Sequence, residues 1–321
     1  MSVLPCKSVP TDLGVFPDYW RVNYAFGMVM GVDDFQQEQA YHVGRRHLHN
    51  RALHGYGVAY GISVRVERVA TDLQVRVGAG VAVLPGGEEV EITEDHCLRV
   101  NDWLAARSAA ELEAAVVAGE LRVCVTLGYA ECLERDVPVP GLPCATEDEA
   151  REYSRIRESF VLRLEPRPLD QSQELAHRRF GDILCRVQVD PAGGPSDRDA
   201  LLCLVRDIPA WVERTTGITE PPVASYHPDP PCPEGPGVLR IPADDADETL
   251  QDVFRVWASE VRTQLDGHTK HARSREDRIV LACLTVPVTG GQPPKVLDGT
   301  HTLDPSMRPI LMNTRAIQEL V

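Results

Sequence analysis

Apolar and polar positions alternate over Val58, Tyr60, Ile62, Val64 and Val66 against Ala59, Gly61, Ser63, Arg65 and Glu67, which predicts a strand with one buried face. The stretch before it has a helical period. Asp33 or Asp34 can cap a helix N-terminus, with Gln36 or Gln37 as the reciprocal partner, and Gly55 supplies the stop after about Leu53. Its face at three- and four-residue spacing reads Phe35, Gln39, His42, Arg46, His49, Leu53, apolar only at its two ends. So thin an apolar stripe predicts a helix held by polar contacts to neighbouring segments or subunits, with Phe35, Glu38, Tyr41, Arg45, Arg46, His49, Asn50 and Leu53 as the interface.

Period-two alternation continues through Leu73, Val75 and Val77, then Val81 and Val83, then Val90 and Ile92 after the turn Pro85-Gly86-Gly87, a meander of short antiparallel strands. Two short helices between Asn101 and Glu120, with Ser108 as a cap, lead into a strand over Leu121–Tyr129. Thr146 with Glu149 opens a heavily charged helix through about Glu158, after a proline-rich loop at Val137–Pro143. Phe160–Leu164 then reads as a strand, Gln171–Arg179 as a helix, Ile183–Val189 and Leu201–Val205 as strands. An amphipathic helix over Glu248–Leu265 presents Leu250, Val253, Phe254, Trp257, Val261 and Leu265 on one side. Ile279–Val286 reads as a closing strand, and Asn313 or Thr314 caps a short last helix.

The pattern amounts to an α+β fold: an antiparallel β-sheet, barrel or sandwich, with an N-terminal helix and peripheral helices. The proline-loaded stretch at 219–237 is expected to connect a domain at 1–218 to a smaller unit at 238–321.

Composition narrows the function classes. With 43% hydrophobic and 25% charged residues the chain is globular, and no apolar run approaches a membrane span. Met1–Pro10 has no basic segment followed by an apolar one, so cytoplasmic synthesis without a signal peptide is expected. A net charge of −15 opposes the phosphate backbone and argues against nucleic-acid binding. Lysine is confined to Lys7, Lys270 and Lys295, so the positive charge is nearly all arginine.

Nine scattered cysteines without a C-x-x-C fit neither a zinc ribbon nor a secreted scaffold. Cys124, Cys185, Cys203 and Cys283 sit in apolar runs and read as buried reduced thiols. Cys132 and Cys144 bracket one loop and are candidates for a disulfide or a shared metal. His42, His47, His49 and His54 differ by five, two and five, not the three or four that puts two ligands on one helical face at one ion. No metal, no cofactor and no catalytic residue is expected from these patterns, and no nucleophile elbow, H-E-x-x-H or P-loop occurs.

The phrases VNYAFGMVMGVDDFQQEQAYH, RRHLHNRALHGYGVAYGISV and VGAGVAVLPGGEEVEI, followed by YAECLERDVPVPGLPC and EYSRIRESFVLRL, resemble a family of bacterial proteins encoded beside contractile phage-tail-like injection systems. The resemblance covers about the first half of the chain. It implies a baseplate-associated structural component, assembled into a tail-like particle in multiple symmetric copies beside baseplate, sheath or tube proteins. Two other classes stand beside it: a tail-fibre-like binding module for a sugar or protein, and a metal- or thiol-dependent enzyme built on the histidines or on Cys132 and Cys144.

Overall fold

In the computed structural model, residues 20–70, 72–138, 151–166, 172–216, 237–265, 278–291 and 293–311 are described. They form two units, one from residues up to Leu169 together with those from Glu276 onward, the other from Asp170–Arg275. Both contain helices, and all pairings between the described strands but one, Val187–Asp190 with Leu239–Pro242, are antiparallel, so the α+β class holds; no barrel closes among the described strands.

The first unit begins with α1 (Val32–His49), whose last turn widens into a π turn over Asn50–His54 before Gly55. β1 (Gly57–Gly61) and β2 (Val64–Val69) replace the single predicted strand. The break lies at Ile62, fully buried with φ +47°, next to Gly61 at φ +67°. β3 (Asp72–Val77) and β4 (Gly80–Val83) break opposite it, as do β5 (Glu89–Ile92) and β6 (His96–Arg99). A three-stranded meander is thereby bent across its middle into two sheets, ordered β1-β4-β5 and β2-β3-β6. Glycine is required at this corner: a Cβ on Gly61 would lie 2.3 Å from the Ala79 carbonyl oxygen, and one on Gly80 2.3 Å from that of Tyr60.

Two short helices follow, α2 (Val100–Ala105) and α3 (Ala109–Ala115). The second is capped as expected, by Ser108 with Glu111 reaching back. After β7 (Val116–Val117) come the two longest strands, β8 (Glu120–Pro138) and β9 (Arg151–Glu165). β8 pairs with β9 from Cys124↔Glu165 out to Pro138↔Arg151. The charged helix expected through Glu158 is therefore strand; Thr146, Glu149 and most of the proline-rich loop lie outside the described residues. The charges find partners across the ribbon, Arg157 with Glu134 and Arg151 with Asp136, so ion pairing alone favoured neither period.

In the second unit α4 (Ser172–Leu184) runs past its predicted end and carries Ile183 as a helical core residue, leaving β10 (Val187–Asp190) short. α5 (Arg198–Arg206) occupies the predicted strand at Leu201–Val205: Leu201, Leu204, Val205, Ile208 and Val212 fall at helical spacing and all are buried, the last two on α6 (Ile208–Thr216). β11 (Leu239–Pro242) pairs in parallel with β10. The amphipathic helix starts earlier than expected, as α7 (Ala243–Val256), and continues through a π turn at Trp257–Val261. Val253, Val261 and Leu265 are buried, whereas Phe254 is half exposed and meets the edge of Phe180, which stacks on Trp257 at 4.3 Å.

Because β10 and β11 flank the proline-rich stretch and pair with each other, that stretch does not divide the chain where the sequence suggested. The last described part, β12 (Arg278–Pro287) and β13 (Thr302–Asp304), belongs to the first unit: β12 lies between β8 and β13. Leu121, Val123, Val125 and Leu127 of β8, with Ile279, Leu281, Leu284 and Val286 of β12, share one core with Val75, Leu73 and Val90 of the bent meander.

The cysteines depart from expectation. Cys124 and Cys283 face each other on β8 and β12 and are joined by a disulfide. Cys203 is disulfide-bonded too, and Cys185 is a free but exposed thiol.

Candidate assembly surface

α1 starts earlier than the sequence implied, with its cap ahead of Asp33 and Asp34. Gly31 is the N-cap, and its amide donates to the carboxylate of Asp34 at 2.8 Å. Gln37 then reaches back to the Trp20 carbonyl at 2.7 Å, laying the preceding segment beside the helix.

The C-terminal end of the helix is the part tied to the sheet. Asn50, the buried residue of the π turn, donates from Nδ2 to the Gly87 carbonyl and to Glu89 Oε1, each at 2.9 Å. Gly87, in the turn between β4 and β5, has φ +97° and lies so close that a Cβ there would be 2.2 Å from the His47 carbonyl oxygen. Next to it Arg46 pairs with Glu158 of β9 at 3.2 Å. On the same ribbon face Tyr129 donates to Glu131 at 3.0 Å; burial first, then the adjacent carboxylate, pushes its phenol pKa up. The His47 imidazole is held below its usual value, chiefly by burial and then by the neighbouring Arg46. Its Nε2 is buried with no hydrogen-bond partner among the described residues.

Away from that anchor α1 is open: none of its residues is buried. Val32 is 70% exposed and Phe35 56%, and the preceding segment exposes Trp20, Tyr24, Phe26 and Val29 as well. Of the expected interface residues, Arg46 and Asn50 hydrogen-bond to other described elements. Glu38 turns to His42 on its own helix at 3.0 Å, Tyr41 is half-buried with its ring edge to His42, and Arg45 is exposed. The His49 ring meets His54 at 5.2 Å, and Leu53 is 69% exposed.

The sequence reading missed Gly87, Glu89 and Glu158. The Pro85-Gly86-Gly87 turn was the one signal available, and a turn glycine does not reveal what backbone it lies against.

Beyond Gly128, paired with Arg278 at the start of β12, β8 continues among the described residues as a two-stranded ribbon with β9. One ribbon face carries Glu134 and Asp136 opposite arginines, and the other carries Leu133 across from Ile156, with Val137 further out. Ile156 and Val137 are exposed. Cys132, buried at the base of the ribbon, is disulfide-bonded, which takes its thiolate away from any metal; Cys144 lies outside the described residues. Among the described residues no three of His, Cys, Asp and Glu converge as metal ligands, and no helix is long and apolar enough to cross a membrane.

No protein-family model and no curated protein matches the chain. Among solved structures, the crystal structure of TssK is similar at 14% identity, covering 75% of this chain and 70% of that one, with a TM-score of 0.25. At that score the likeness bears on neither function nor mechanism.

Proposed function

We propose that the chain is a non-catalytic structural subunit of a contractile phage-tail-like injection particle, associated with its baseplate and working through protein–protein contacts. The observation that carries this reading is α1: an eighteen-residue helix without one buried residue, preceded by exposed Trp20, Tyr24 and Phe26. Helices in globular proteins owe most of their stability to packing of one face, so a helix this open is completed by another surface. The ribbon of β8 and β9 has the same character, since two strands alone are marginal in water. The type of particle rests on the sequence resemblance, which spans α1, the meander and the ribbon.

Mass spectrometry of sheared, gradient-purified tail-like particles tests the reading. The chain is expected at a fixed ratio to the sheath protein through successive gradients. Its loss from the particle fraction at the first gradient would overturn the proposal.

A further inference from the structure

The open face of α1 has a period of its own. Val32, Phe35, Gln39, His42, Arg46 and His49 follow one another at spacings of three, four, three, four and three, the a and d positions of a heptad. Val32 and Phe35 at the start are exposed, as are the side chains of His42 and Arg46. Charge along the helix is segregated: Asp33, Asp34 and Glu38 in the first half, Arg45 and Arg46 in the second. Glu38 and Arg45 occupy successive g positions on one flank, and Arg45 has no ion-pair partner among the described residues.

A heptad seam of this kind selects its mate. Two copies side by side in parallel would stack Arg46 on Arg46 and His42 on His42. Antiparallel, each layer is complementary: Phe35 meets the partner copy's guanidinium at position 46, Gln39 meets the imidazole at position 42, and the g flanks set Glu38 against the arginine at 45. The two helix dipoles also run opposed. Of the intrachain pairs that must yield, Arg46 with Glu158 is solvent-exposed and of small worth, and Glu38, its side chain 24% exposed, is held only by the exposed His42 on its own helix among the described residues.

We infer that the partner of α1 is a second copy of this chain, joined through an antiparallel two-fold pairing of the Val32–His49 seam. The inference rests on the structural-subunit reading for its setting, but not for its test.

Because of the two-fold, one substitution changes two contacts. Sedimentation velocity of the full chain, up to about 100 μM, is expected to show a monomer–dimer equilibrium. Glu38→Arg alone and Arg45→Glu alone each set like charges opposite and are expected to weaken dimerisation about tenfold or more, while the combined E38R/R45E swap restores it. Circular dichroism checks that each variant keeps its fold, and Phe35→Glu, which removes the apolar end of the seam, is expected to abolish the dimer. A chain monomeric throughout, or a double swap no tighter than the singles, overturns the inference. A monomeric chain still present in purified particles would leave the structural-subunit reading standing with a different partner on α1. A dimer absent from particles would do the reverse.

Discussion

Replacing Asn50 by alanine strips two acceptors, the Gly87 carbonyl and the Glu89 carboxylate, of their donor at once, in a buried site. Stranding such groups typically costs about 1 to 3 kcal/mol, which urea denaturation of Asn50→Ala is expected to register. Gly87→Ala acts on the same joint from the other side: its Cβ has no room against the His47 backbone, and its φ of +97° strains any L side chain. Both variants are expected to raise hydrogen exchange in the last turns of α1 while leaving β8 and β12 protected. His47 adds a dependence on pH. Its folded pKa is lowered, by burial first and by Arg46 and Arg51, against the opposing carboxylates of Glu158 and Glu89. The unfolded chain therefore takes up the proton more readily. The stability the neutral ring contributes is present above its ordinary value of 6.5 and is lost as pH falls through the depressed folded value. The protection factors of the amides across His47–His54, taken relative to the intrinsic exchange rate at each pH, are expected to fall as the solution is acidified below about pH 6.5, and His47→Gln to flatten that trend. An unchanged trend in His47→Gln would assign it to another group.

Elements were legible where period and burial agree. β3 and β5 alternate cleanly because one face of each meets the core, β12 shows as a run of mostly buried apolar residues, and Ser108 marked the start of α3 by its cap chemistry. They were illegible where neither signal discriminates. The charged run before Phe160 suits an exposed ribbon as well as an exposed helix, since its arginines find carboxylates in either period. Leu201–Val205 is an apolar run too short to show one, and only the later Ile208 and Val212 complete the helical face. The bend at Ile62 was hidden because alternation continues through a corner. The candidate surface was half legible: the open helix face was readable from its missing stripe, but its anchor at Gly87 and Glu158 is long-range and left no local mark. The Cys124–Cys283 link belongs with these, spanning 159 residues between adjacent strands. Cross-links closing long loops typically contribute about 2 to 4 kcal/mol, so Cys124→Ala with Cys283→Ala is expected to lower the urea midpoint by a corresponding amount without changing strand content. Alkylation of the unreduced protein is expected to label Cys97 and Cys185 but neither Cys124 nor Cys283. Labelling of Cys124 in folded protein would remove the disulfide from the account.

For the whole molecule the question is whether the open surfaces serve folding or assembly, and substitution at two kinds of residue on one helix separates them. Arg46 and His49 lie on the exposed seam. The Arg46–Glu158 pair is open to solvent on both sides, and pairs of that kind typically contribute less than about 1 kcal/mol. His49 is exposed and meets His54 by its ring edge alone. Arg46→Ala with His49→Ala is therefore expected to keep wild-type circular dichroism and a denaturation midpoint close to wild type. Asn50→Ala, one residue further on, lowers that midpoint because its partners are buried. If α1 is completed by another subunit, the order reverses in the particle. The double variant then removes a guanidinium and an imidazole from a desolvated contact, where losing one partner of a charged hydrogen bond costs about 2 to 5 kcal/mol. Its ratio to sheath protein in purified particles is expected to fall severalfold although the free chain is unharmed. Incorporation at the wild-type ratio would make the seam a solvated arm, and the contact surface would then lie on the apolar ribbon face at Leu133, Ile156 and Val137, where Ile156→Arg applies the same test.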